Sequence, residues 1–242
     1  MSALGHYLEE EGLATVAIAL IRPQAENTKP PRTLWVPFEL GRPFGPPRDP
    51  AFQKRVMLTA LRVLERDDGP VLIEDFTDDD PRSVPDPAWQ PPFMAAAVAA
   101  GPGDSLASRL EAEILSLQGA HQRWMAQYRR STVGLGGLAI ADCARYIGDW
   151  LRGQEPPSPR DGFSAPLMLR FAVDDLKAFC LEGATAGDAR PSSRQLGDWF
   201  WNETATGEAL HALRAMLLTH SDERLRLIVS NFIVPAARVR PG

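Results

Sequence analysis

The residues of this chain that can do more than pack are two cysteines, four histidines and a few arginines and carboxylates. A reactive thiol needs an exposed, electropositive setting that favours thiolate. Cys143 and Cys180 instead fall at helical spacing on apolar faces, where cysteine behaves as a small hydrophobe. Asp142 beside Cys143 further disfavours thiolate. The sequence thus predicts two core thiols, neither essential, with no disulfide between them. Among the histidines, His121 lies on an apolar stripe with Trp124 one turn on, and reads as a satisfied core histidine or as a ligand. Glu208 and His211 make a single Glu-x-x-His, whereas di-metal carboxylate bundles need two such motifs plus further carboxylates. No metal is expected; His121, Glu208 and His211 are the candidates to test for one. His220 is expected at a helix end. Gly134-Leu135-Gly136-Gly137 lacks the lysine of a phosphate loop and the spacing of a dinucleotide fingerprint, so it reads as a helix-to-helix turn. Arg22, Glu26 and Arg32 bracket the loop between the first two predicted strands. A guanidinium beyond a strand's carboxyl end can hold a carboxylate bidentately; the alternative is an Arg-Glu surface pair.

The elements that position these groups follow from proline usage. Fifteen of the 22 prolines lie between Pro23 and Pro102, and none occurs from Gly103 to Glu155, Leu167 to Arg190 or Ser192 to Val234. Proline breaks helix interiors, so long helices belong to the later stretches. Residues 1–76 read as a small α/β unit with a parallel sheet: a helix to Glu11 stopped by Gly12, strands over Leu13–Leu20, Thr33–Phe38 and Val71–Ile73, and a helix opened by Asp49-Pro50. Leu13–Leu20 is apolar throughout, the pattern of a strand covered on both faces. Residues 77–102 read as a proline-rich linker, with Asp78-Asp79-Asp80 as a solvated loop. Residues 103–242 read as helical. Leu106, Leu110, Ile114, Leu117, His121, Trp124 and Tyr128 form one stripe. Further helices carry Ile140–Trp150, Leu169–Cys180 and, after a Ser192/Gln195 capping box, Trp199 and Phe200. Gly207 is the expected interruption before Leu210–Leu217, and a last helix ends at Pro235.

The chain has 242 residues, net charge −5, 44% hydrophobic and 24% charged residues. That composition suits a folded core. The acidic balance argues against nucleic acid or an anionic membrane as partner. The start, Met1–Glu11, has no basic cluster and reads as neither secretory signal nor transit peptide. With two cysteines, the expected compartment is cytoplasmic.

From Tyr7 to Phe76 the sequence resembles one family. The stretches are YLEEEGLATVAIAL, IRPQAENTKPPRTLWVPFELGRPFGPP, DPAFQKRVMLTALRVLE and GPVLIEDF. They are similar to the selenoprotein-B type subunits of glycine, sarcosine, betaine and D-proline reductases and to their cysteine-based, D-proline-reductase-like relatives. Arg22, Glu26, Arg32, Gly41, Pro43 and Gly45 fall on matching positions. DWFWNETATG, ending at Gly207, recurs in shorter, aerobic-type relatives. In the family, a selenocysteine or cysteine motif lies just before the first helix; the residues before His6 here contain none.

The resemblance implies an accessory or substrate-side subunit of a reductase-like system, with Arg22, Glu26 and Arg32 binding a small carboxylate-bearing substrate. A partner would supply the thiol or selenol. Two alternatives stand beside it. One is an enzyme of changed chemistry using a cofactor or metal held by the helical region; the other is a helical ligand-binding module. The cofactor and the catalytic residues are not legible. A related subunit or a homo-oligomer is expected, because few strands leave apolar edges to cover. Trp35, Phe38, Phe44 and Trp89 are the expected docking face.

Overall fold

The computed structural model describes residues 2–92 and 105–239. The chain divides into two compact units, Met1–Val84 and Pro85–Gly242. The first holds a three-stranded parallel sheet, and the second is mostly helical. Of the expected linker, residues 77–84 belong to the first unit and 85–92 to the second. Residues 93–102 of that linker, and 103–104 and 240–242 of the expected helical region, lie outside the described residues.

The first unit runs α1 (Ser2–Glu10), β1 (Ala17–Ala19), α2 (Arg22–Thr28), β2 (Arg32–Trp35), α3 (Pro50–Val63) and β3 (Leu72–Asp75). The strands lie in the order β1-β2-β3, all parallel, with Ala17 opposite Thr33 and Leu34 opposite Glu74. The start of α3 is the predicted one. Asp49 caps it by accepting from the Phe52 N–H at 2.9 Å, and Pro50 fills the first helical turn, where its missing N–H costs nothing. Phe52, Val56, Ala60 and Val63 then bury against Leu34, Val36, Phe38 and Phe76. The three phenylalanine rings 38, 52 and 76 meet edge to face at 5.5–6.0 Å, the favoured geometry for ring quadrupoles.

Four expectations fail in this unit. The apolar run Leu13–Leu20 yields only a three-residue strand, half-buried throughout, and Leu13 is 57% exposed. The run sits at the sheet's edge, where among the described residues one side has no neighbouring strand. Arg22–Thr28, expected as loop, is a helix, with Pro23 in its first turn and Lys29 closing it at φ 47°. Proline density marked this stretch as irregular, yet proline at that position favours a helix. The expected aromatic face loses one member and divides between the two units. Phe38 is buried, and Trp89 belongs to the second unit, where its Nε1 donates to the Ala184 carbonyl at 3.0 Å. Finally, Asp80 is buried, not solvated, and accepts from Arg82.

The second unit comprises α4 (Leu106–Tyr128), α5 (Ile140–Leu151), α6 (Ala165–Ala184), α7 (Ser193–Glu203), α8 (Ala205–Leu217) and α9 (Glu223–Ile228). A π-type turn, Val229–Ile233, continues α9 towards Pro235. One core joins them, with Leu110, Ile114, Leu117, Cys143, Ile147, Leu176, Cys180, Trp199, Phe200 and Leu210 buried. Two local readings change. The break between α7 and α8 falls at Thr204, not Gly207. The Thr204 hydroxyl donates to the Phe200 carbonyl at 2.6 Å and accepts from the Gly207 N–H at 2.9 Å, closing one helix and opening the next. Ser192 does cap α7 through the Gln195 N–H, but the Gln195 side chain leaves the capping box to bond both backbone groups of Asp86. No helix among the described residues is long and apolar enough to cross a membrane.

Candidate functional site

In open parallel sheets, ligands bind beyond the carboxyl ends of the strands. Here those ends are Ala19, Trp35 and Asp75. Arg22, on the first turn after β1, reaches across all three. Its Nε donates to Glu26 Oε1 at 2.9 Å, one helical turn on, and its Nη1 donates to Asp75. Its guanidinium lies 5.4 Å from the Trp35 ring centroid, within reach of a cation–π attraction. The Asp75 hydrogen bond raises the Arg22 pKa further above its ordinary value. Arg22 and Glu26 are thus brought together, as a half-exposed ion cluster at the carboxyl edge of the sheet. Among the described residues Nη2 makes no hydrogen bond, and a guanidinium has donors to spare.

Arg32 is elsewhere. It opens β2 and therefore lies at the amino edge of the sheet. Its Nη1 donates to both Glu9 oxygens at 2.6 Å, and its Nε to the Arg66 carbonyl at 3.1 Å. Glu9 also accepts from the Thr15 N–H and hydroxyl. Burial pushes the Glu9 carboxyl up, but the Arg32 and Thr15 hydrogen bonds outweigh it and leave it below the usual carboxylate range. Arg32 ties α1 to the approach of β1. The two arginines that bracket one segment in sequence stand at opposite ends of the sheet.

A cleft of about 470 Å³ adjoins the carboxyl edge, between α3 and the exit of β3, lined by Arg55, Leu58, Arg62, Asp75, Thr77 and Asp78 among others. Arg55 pairs with Asp78 at 3.2 Å, and Asp75 joins this wall to the Arg22 cluster. Sequence reading missed these residues. The available signal was Arg55 and Arg62 seven residues apart, hence on one side of α3.

The second unit holds three buried carboxylates that clamp backbone. Asp175 accepts from the N–H groups of Gly134, Leu135 and Gly136 at 2.7–2.9 Å. Successive N–H groups of this kind form an anion nest, and here the anion is the chain's own side chain. The glycine turn therefore has no room for a phosphate while Asp175 sits in it. Two helical turns on, Glu182 accepts from Ser131, from the N–H and hydroxyl of Thr132, and pairs with His121 at 2.8 Å. Burial raises the Glu182 pKa, but these hydrogen bonds, led by the Thr132 N–H, bring it below the ordinary value. Glu113 accepts from Ala205 N–H and from the N–H and hydroxyl of Thr206; burial dominates there and raises its pKa.

The metal candidates are not assembled. His121 pairs with Glu182, Glu208 takes a bidentate grip from Arg109 at 2.8–2.9 Å, and His211 packs against the Trp201 ring. No group of three or more metal-ligating side chains occurs among the described residues. His220 follows α8, facing Glu155.

Both thiols are free and fully buried. Burial, with the Asp175 charge second, pushes Cys143 up to about 12; burial drives Cys180 higher still. A thiol reagent is therefore expected to find no fast-reacting group in the native chain and two after denaturation. Rapid labelling of either thiol in the native state would contradict this packing.

Comparison with family models, with curated proteins and with solved structures finds no match to this chain.

Proposed function

We propose that the chain is an accessory, substrate-side subunit of a reductase-like system whose redox thiol or selenol comes from a partner. The observation that carries this reading is the state of Cys143 and Cys180. A chain resembling thiol- and selenol-dependent reductases across Tyr7–Phe76 keeps both of its own thiols buried and protonated, and only thiolate is the nucleophile. The carboxyl edge of the sheet supports a ligand role. Arg22 stands there with spare donors, beside Trp35 and a cleft of metabolite size. A small carboxylate would be held by Arg22, with Glu26 and Asp75 fixing the guanidinium's direction.

The test is anaerobic isolation of the tagged chain, with mass spectrometry of what co-elutes. The expected result is a stoichiometric subunit bearing cysteine or selenocysteine, whose alkylation abolishes reduction of a small amino carboxylate. Retention of activity by the isolated chain would overturn the proposal, and a stoichiometric metal or chromophore in it would favour the enzyme of changed chemistry. Within the complex, Arg22→Ala should weaken carboxylate binding about tenfold or more, since a charge-assisted hydrogen bond contributes roughly 1.5–3 kcal/mol. Its melting temperature should barely move, because Arg22 is half exposed and its ion pairs with Glu26 and Asp75 are open to water. Arg32→Ala should do the reverse, lowering stability without changing affinity; an affinity loss at Arg32 alone would return the site to the amino edge.

A further inference from the structure

The two edges of the sheet in the first unit are defended differently. β3 is guarded. Its sequence, Leu72-Ile73-Glu74-Asp75, follows Pro70 and carries two carboxylates, ion-paired to Arg66 and Arg22. Charge and proline at an edge strand are the usual defences against pairing with another chain. β1 has neither. From Leu13 to Ile21 there is no charged residue, no proline and no glycine, and shortness is the one defence β1 keeps.

The backbone of β1 offers hydrogen bonds on its open side. The Val36 N–H donates to the Ala19 carbonyl at 2.9 Å, and Ala19 lies opposite Trp35. Ala19, and Ala17 two residues before it, therefore turn their N–H and C=O groups towards β2. Those groups alternate sides along a strand, so Ile18 turns its own pair outward. Among the described residues no hydrogen bond reaches the Ile18 N–H or carbonyl. Side chains alternate between faces as well. Val16, Ile18 and Leu20 all pack against the core of Leu34, Phe52 and Phe76, yet each stays half-buried. Among the described residues no strand lies beyond them.

An antiparallel neighbour meets this edge in reverse order, and the edge reads the same in reverse. Val16, Ala17, Ile18, Ala19 and Leu20 run branched, small, branched, small, branched. A second copy turned about a two-fold axis at Ile18 sets the two Ile18 residues opposite each other and each Val16 opposite a Leu20. The isoleucines then exchange both N–H···O=C bonds, as opposed residues with outward groups do in an antiparallel pair, and the aliphatic side chains meet across the strands on the core side. We propose that β1 pairs antiparallel with β1 of a second copy, joining two three-stranded sheets into one continuous sheet. The contact is isologous and closed. It uses up both bare edges and leaves the two guarded β3 edges outermost. This proposal does not depend on the reductase reading.

Sedimentation and hydrogen exchange on the full chain test it. The mass should rise with concentration from 26.6 kDa to twice that value and stop there. The Ile18 amide should exchange about tenfold or more faster after dilution to monomer, whereas the Ala17 and Ala19 amides, turned to β2, should change little. Cross-linking checks the register. Opposed residues of a hydrogen-bonded antiparallel pair have Cα atoms about 5.5 Å apart, a span that suits a disulfide. Ile18→Cys should therefore give a covalent dimer under mild oxidation. Ile73→Cys is the control. The Leu72 N–H donates to the Pro31 carbonyl, so Ile73 holds the outward position on the guarded edge, and no covalent dimer should form there. The buried Cys143 and Cys180 add no background. Val16→Glu should weaken dimerisation about tenfold or more by burying an unpaired charge. Adding Leu20→Lys in the same chain should restore it, because the two substituted positions then bring opposite charges together across the axis. A chain that keeps the monomer mass at high concentration would overturn the proposal. So would a dimer whose Ile18 amide exchanges as fast as in the monomer, or cross-linking at Ile73→Cys as ready as at Ile18→Cys, since either places the contact on another surface.

Discussion

Asp175→Ala is expected to destabilise the helical unit by roughly 3–5 kcal/mol, the largest loss from any single side chain discussed above. The carboxylate is fully buried and holds three consecutive backbone N–H groups, of Gly134, Leu135 and Gly136. Hydrogen bonds to a charged group contribute about 1.5–3 kcal/mol each, and orphaned buried donors cost about 1–3 kcal/mol each. The full sum is not expected, because Leu135 is half exposed and water can reach part of the freed turn. At roughly 2–4 °C per kcal/mol for a unit of this size, the melting temperature should fall by about 10 °C. Asp175→Asn keeps the shape but turns an amide group towards backbone donors, so its loss should be intermediate. A thermal melt of the alanine variant within about 2 °C of wild type would show that the turn holds itself without the carboxylate.

Such a clamp was not legible in the sequence, and the reason is general. Patterns of period 3.6 report which face of a helix is buried, and on that basis Leu110, Ile114, Leu117, Cys143, Ile147, Leu176 and Cys180 were all placed correctly. A carboxylate on the same buried face breaks the pattern without saying what it bonds. Glu113, Asp175 and Glu182 each reach a backbone segment at least 39 residues away, a partnership that only the tertiary fold creates. The cap of α3 was legible because Asp49, Pro50 and Phe52 are neighbours in sequence. Strand placement in the sheet was not. An apolar run announces burial, but whether Leu13–Leu20 becomes a central or an edge strand depends on how many strands follow and in which order. The candidate site shows the same division. Arg22 and Glu26, four residues apart, meet as their helical spacing allows. Arg32, ten residues from Arg22 along the chain, is at the other end of a strand, because a parallel sheet returns each connection to its starting edge.

The second large effect is expected at Gly207. It is not a glycine by need of an unusual backbone angle. The requirement is closeness: a Cβ there would stand 2.2 Å from the Phe200 carbonyl oxygen and 3.1 Å from the Trp201 Cα. Both are backbone atoms, so no rotamer change can clear them. The surrounding joint is also fixed on every side. Thr204 bonds the Phe200 carbonyl and the Gly207 N–H, and Glu113 bonds the N–H groups of Ala205 and Thr206. Relief of the clash must move α8 away from α7 and break some of these bonds. Overpacking alone costs about 1–3 kcal/mol, and with the lost cap the expected cost of Gly207→Ala is roughly 3 kcal/mol or more. Gly119, within α4, is the internal contrast. Its nearest obstacle is the far end of the Arg123 side chain at 3.8 Å, and the residue is exposed. There alanine should raise stability by roughly 0.5–1 kcal/mol, through helix propensity and a less disordered unfolded chain. Urea unfolding of the two variants against wild type separates these outcomes: the midpoint should fall for Gly207→Ala and rise for Gly119→Ala, with little change in slope. A Gly207→Ala midpoint equal to that of wild type would mean that α7 and α8 do not approach as closely as described, and that the Thr204 joint carries less of the fold than its hydrogen bonds imply.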